Sequence, residues 1–107
     1  VRIEVDRRTW LRGETGSRLL REGDGKMCCF GFACLQYGLS KDDIMNKGNT
    51  AYLDVPFRAS PVYGVDDRNW VWDAMRTNDN VNLTGFEREH ILTNLFADNG
   101  HELIFTN

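Results

Sequence analysis

Residues 25–35, Gly-Lys-Met-Cys-Cys-Phe-Gly-Phe-Ala-Cys-Leu, gather every cysteine of the chain into one apolar run that predicts a helix over about 27–37. At 100° per residue Met27, Phe30, Gly31 and Cys34 share one side, and Cys28, Phe32 and Leu35 take the next. Cys29, Ala33 and Gln36 form a small or polar stripe opposite the first, the only one suited to meet solvent or a closely packed helix. The segment is therefore either the buried spine of a small domain or the seat of a thiol nucleophile, and the spine is the preferred reading.

The rest of the chain has to wrap that spine. At 107 residues it reads as a single domain, 1–107, large enough to bury about 65% of its unfolded surface without metals or staples. No apolar run approaches the roughly 20 residues that span a bilayer, which argues against a membrane role. No leader resembling a secretory signal opens the sequence, and a cytoplasmic setting is expected. Three cysteines are an odd number, and on a helix Cys28 and Cys34 stand about 9 Å apart in rise, too far for a disulfide. A CC-x4-C spacing also lacks the paired CxxC or nearby His of zinc sites, so neither metal nor cofactor is expected.

Charge narrows the function classes. A net charge of -3 argues against a general nucleic-acid binder, because neutralising a phosphate backbone needs a basic surface. The distribution is uneven: residues 1–26 carry seven bases against five acids, residues 27–107 six bases against eleven. The arginine-rich start is read as solvated surface with local acid partners, with a nucleic-acid contact through it as an alternative.

Local patterns place the other elements. Val1, Ile3 and Val5 alternate with Arg2, Glu4 and Asp6, the period of a half-buried strand. Glycine-bearing turns flank Arg18-Leu19-Leu20-Arg21, and Trp10, Leu19 and Leu20 are expected to face inward. Asp24 is assigned as N-cap of the cysteine helix and Gly38 as its stop, while Ser40 caps a short helix through Met45. The paired acids Asp42/Asp43 and Asp66/Asp67 stand at helix starts, where carboxylates cap amides. Residues 46–66 read as a long loop pinned by aromatics. Beyond it Trp70, Val71, Trp72, Ala74 and Met75 give a helix with a broad apolar face, closing before an Asn78-Asp79-Asn80 turn. Thr84-Gly85-Phe86-Glu87 is a capping box for a helix running to about Asn99, with Ile91, Leu92, Leu95 and Phe96 inward and Gly100 as the stop. Residues 102–106 finish as a strand, expected to pair with the first.

Three stretches carry a resemblance: Trp10-Leu11-Arg12-Gly13, Gly25-Lys26-Met27-Cys28-Cys29-Phe30-Gly31, and the closing part from Asn78-Asp79-Asn80 through Glu87-Arg88-Glu89 to Leu95-Phe96-Ala97-Asp98-Asn99-Gly100. Together they resemble a family of small uncharacterised proteins of bacteriophages and bacteria, over nearly the whole chain. The resemblance implies a phage or prokaryotic cytoplasmic setting and brings no activity, cofactor or catalytic assignment.

The candidates for chemistry are few. Cys28 and Cys29 sit at a helix start, where unpaired amides and the dipole depress a thiol pKa, and His101 with Asn99 or Glu102 is the partner a thiol nucleophile would need. Buried free cysteine is the commoner state, so these three stand as minor candidates beside a structural role. His90 is read as solvated. Arg88 falls inside the apolar arc of its helix, which predicts a stem laid over apolar surface with its head in water, or else a pair with a buried carboxylate. Tyr52, Phe57, Tyr63, Trp70 and Trp72 are the candidates for a contact surface.

The sequence therefore predicts an α+β domain, three to four helices on a small sheet formed mainly by the N- and C-terminal strands. It predicts an accessory protein that binds a host or phage protein, or a second copy of itself, rather than an enzyme. The alternatives are a small cysteine-dependent enzyme or redox-responsive protein using Cys28 or Cys29, and the nucleic-acid contact above.

Overall fold

In the computed structural model, residues 2–14, 18–48, 50 and 68–107 are described. Strand β1 spans Arg2–Asp6 and strand β2 spans Glu102–Thr106, and they pair in parallel, with Ile3 beside Leu103 and Val5 beside Phe105. Among the described residues four helices pack on this two-stranded sheet: α1 (Cys29–Gln36), α2 (Lys41–Ile44), α3 (Arg68–Asp79) and α4 (Gly85–Asp98). The α+β architecture with both chain ends in the sheet is as the sequence predicts. Its Cα radius of gyration, 12.4 Å, is close to the roughly 13 Å of a single compact domain of this length.

The cysteine helix is the spine. Cys28 through Cys34 are all buried, so the stripe of Cys29 and Ala33 meets protein and only Gln36 reaches solvent. Helix α1 nevertheless starts two residues later than the periodicity predicts, and Asp24 does not cap it. Met27 is held extended: its N–H donates to the Thr9 carbonyl (2.9 Å) and its own carbonyl accepts from Leu11 N–H (2.7 Å). Cys28 becomes the N-cap residue with no side-chain cap bond, while Asp24 accepts from Lys26 N–H and pairs with Arg21.

Other helix signals act locally and hold. Ser40 with Asp43, and Thr84 with Glu87, form reciprocal capping boxes at α2 and α4. The segment 18–21 bends at Leu19 and is tied across the chain, with Leu20 bridged to Met45 and Leu19 N–H donating to the Lys47 carbonyl (2.8 Å). Gly31 lies so close to this segment that a Cβ there would stand 1.9 Å from the Leu19 carbonyl oxygen.

Helix α3 differs in two ways from the sequence reading. It continues through Asn78 and Asp79 instead of closing before them, because the Asn78 side chain bonds to distant segments and leaves its own backbone helical. Trp72 also leaves the apolar face and is exposed, whereas Trp70, Val71, Ala74 and Met75 are buried. Above it Phe30, Trp70 and Phe96 make an aromatic cluster, with centroids 5.1 to 5.7 Å apart, that joins α1, α3 and α4. On α4, Leu92 and Phe96 are inward as expected and Leu95 packs partly buried, but Ile91 lies at the exposed edge of the arc. The capping acids Asp66 and Asp67, and most of the 46–66 loop, lie outside the described residues.

Acidic groups make the fold pH-sensitive. The Arg8 guanidinium, and after it the Arg8 N–H, hold the Asp6 carboxyl down at about 2; Arg21, then Lys26 N–H, do the same for Asp24, to about 2. A carboxyl whose folded pKa lies below its unfolded value stabilises the fold above the unfolded pKa and loses that contribution as pH falls through the folded one. Stability should therefore decline between about pH 4 and pH 2, less steeply in an Asp6→Asn, Asp24→Asn double variant and at high salt. Urea midpoints across that window check it, and identical slopes for the two proteins would contradict it.

Candidate functional site: the Asn78 junction and the α3–α4 hairpin

Asn78 reaches the end of α3 on the same face as Trp70 and Ala74, at spacings of four residues, and its residue exposure is 0%. All of its side-chain valence is used. Oδ1 accepts from the Trp10 indole N–H (2.8 Å) and from Cys29 N–H (3.3 Å), while Nδ2 donates to the Leu11 carbonyl (2.9 Å) and to Asp79 Oδ1 (2.9 Å). The cap that α1 lacks in its own sequence thus comes from α3. Gly13 completes the junction: its N–H donates to the Asn78 carbonyl (2.8 Å), its φ is +65°, and a Cβ there would press on the Arg88 guanidinium at 3.1 Å.

Arg88 is 5% exposed and departs from both readings of the sequence. Its head is neither in water nor on a carboxylate; Nη2 donates to the carbonyls of Asn80 and Leu83, just past the end of α3. A cation placed there is favoured by the negative end of the helix dipole. Burial lowers the Arg88 pKa first and the charge of Arg12 second, with Asp79 opposing both. Arg12 itself stacks on the Trp10 ring, 4.6 Å from its centroid, and donates to the carbonyls of Arg7 and Trp10. The WLRG stretch, the MCC stretch and the Asn78 to Arg88 region therefore meet in one buried network.

At this junction the Cys29 thiol is held protonated. Burial pushes the Cys29 pKa well up, Cys28 and Asp79 add to it, and hydrogen bonds from backbone N–H groups at the helix start pull the other way by less. Cys34 is likewise raised, by burial and then by Cys28. A helix start lowers a thiol pKa only where the thiolate is also solvated, and at Cys29 desolvation wins. His101 is buried, and its ring stacks on Trp70 at 5.8 Å. Among the described residues no group of three or more His, Cys, Asp or Glu side chains is placed to hold a metal ion.

The contact candidates separate. Trp70 is core, which removes it from any exposed surface, and Trp72 on another face of α3 is 48% exposed. Tyr52, Phe57 and Tyr63 lie outside the described residues. Sequence reasoning missed Phe86, 83% exposed, and Val81, 61% exposed, at the tip where α3 turns into α4. Phe86 had a signal: it lies off the apolar arc of α4. Its ring lies parallel to that of His90, which is exposed as expected, at 6.2 Å. In the arginine-rich start, Arg2, Arg7, Arg8 and Arg21 each have a carboxylate within salt-bridge distance, the Arg7 to Glu89 pair being bidentate at 2.7 and 2.8 Å.

No protein-family model matches the chain, and neither does any curated protein or solved structure. Among the described residues no helix is long and apolar enough to cross a membrane.

Proposed function

We propose that the protein is a small accessory protein of phage or bacterial type that works by binding another protein, and that the α3–α4 hairpin is its contact surface. One observation carries this reading. Among the described residues, the exposed large apolar side chains are Trp72, Val81, Phe86 and Ile91, all on this hairpin. An exposed phenylalanine and an exposed valine at the tip of the hairpin contribute little to the core, whereas aromatic anchors of this kind dominate binding energy at interfaces.

The surrounding charge describes the partner. Glu87, whose carboxyl is held low by Thr84, and Asp98 are exposed on α4, while Asp73 and Arg76 satisfy each other on α3. Glu87 thus places a negative charge next to Phe86 at the tip, and the complement of this surface is an apolar depression bearing lysine or arginine. The buried thiols described above support binding over cysteine chemistry.

A benzophenone side chain placed at Phe86 in the producing cell tests the reading. A discrete adduct is expected that is absent when the label sits at exposed Lys41, is competed by the unlabelled protein, and weakens with added salt. Equal adduct patterns from both positions would remove the hairpin as the contact surface.

A further inference from the structure

The two outer edges of the β1–β2 ladder are treated differently. On β1, Glu4 turns its peptide groups away from β2, and the side-chain amide of Gln36 takes both: Gln36 Oε1 accepts from Glu4 N–H (3.2 Å) and Nε2 donates to the Glu4 carbonyl (2.8 Å). That edge is plugged by the last residue of α1. On β2, the Thr106 carbonyl accepts from Arg7 N–H (2.9 Å), so Thr106 faces β1, and by the two-residue period so do Ile104 and Glu102. Leu103 and Phe105 therefore direct their N–H and C=O groups to the outer edge, where among the described residues nothing pairs with them. This edge carries no Pro, no Lys and no bulge, the usual devices that keep an edge from recruiting another strand.

We infer that the occupant of this edge is β2 of a second copy, paired antiparallel about a two-fold axis through Ile104, giving a four-stranded sheet with the two β1 strands outside. That register sets Leu103 opposite Phe105 of the second copy, and Phe105 opposite its Leu103, both as hydrogen-bonded pairs. Two pairs with two bonds each use all the open groups. Centring the axis on Leu103 or on Phe105 leaves the other residue without a partner inside the strand. The same register sets Glu102 against Thr106 of the second copy, so no like charges face each other, and it covers half-buried Ile104 with its own counterpart. The surface is self-complementary, as a two-fold contact requires.

Amide exchange in the unmodified protein tests this without any variant. The N–H of Ile104, which faces β1, should be protected at every concentration. Those of Leu103 and Phe105 should slow by at least about tenfold from dilute to concentrated protein, in step with a sedimentation mass rising toward two chains. An Ile104→Cys variant should form an interchain disulfide under mild oxidation, because residues facing each other at a non-hydrogen-bonded site bring their Cα atoms to about 4.5 Å. A Lys41→Cys control should cross-link far more slowly. The inference is overturned by a monomer at all concentrations in which both amides exchange freely, by protection of both that does not change with concentration, which would mean the same chain covers the edge, or by equal cross-linking of the two cysteine variants.

Discussion

Replacing Asn78 with alanine is expected to destabilise the protein by about 3–5 kcal/mol, a large share of the roughly 5–15 kcal/mol that holds a domain of this size. The side chain is fully buried, and its loss strands the Trp10 indole N–H, the Cys29 N–H and the Leu11 carbonyl, each at a cost of about 1–3 kcal/mol. Asn78→Asp should rescue little: it keeps both acceptor roles but turns a second carboxylate oxygen toward the Leu11 carbonyl beside Asp79. Trp10→Phe removes one bond and should cost about 1 kcal/mol on that account, with coupling to Asn78→Ala in a double-mutant cycle. Urea unfolding of the parent and the four variants decides the matter, and an Asn78→Ala variant within about 0.5 kcal/mol of the parent would refute the junction.

Gly31→Ala is expected to cost about 3 kcal/mol or more, for a steric reason. The added methyl would stand 1.9 Å from the Leu19 carbonyl oxygen and 2.8 Å from Met27 Cβ. Neither can yield cheaply. The backbone around Leu19 is held by Cys28 N–H on the Arg18 carbonyl and by Leu19 N–H on the Lys47 carbonyl, and Met27 is held by Thr9 and Leu11. Helix α1 would have to lift off the 18–21 segment, opening the core that the cysteines fill. Gly85→Ala is the control: its Cβ meets nothing within 4 Å and lies in the first turn of α4, so it should stabilise by about 0.5–1 kcal/mol. Equal thermal midpoints for the two variants would contradict the close approach.

What the sequence revealed was what local chemistry decides. Alternation marked β1, and the Ser40 cap and the Thr84 capping box marked α2 and α4, because donor and acceptor lie three residues apart. The parallel direction of the sheet was not legible, since nothing local records how 95 intervening residues return the chain to β1. The start of α1 was misplaced because Met27 is claimed by Trp10 and Thr9, and no feature next to Asp24 announces that. Asn78 was hidden by its neighbours: Asn-Asp-Asn has the composition of a turn, although the spacing from Trp70 and Ala74 already put Asn78 on a buried face. Arg88 was visible as an arginine on an apolar arc, but its carbonyl partners follow from where α3 ends. Trp72 and Phe86, both off their helices' buried faces, show that periodicity separates core aromatics from surface ones better than composition does.

The cysteine segment is a buried spine tied down at Asn78, and thiol labelling as a function of denaturant tests that most directly. Alkylation at neutral pH, mapped to each cysteine, should give rates for Cys28, Cys29 and Cys34 that extrapolate to the global unfolding free energy. In Asn78→Ala all three should accelerate together, by the factor its destabilisation dictates. Rapid labelling of Cys28 or Cys29 in the native protein, independent of denaturant, would show a solvated thiolate at the start of α1 and would contradict both the spine and the proposed binding role.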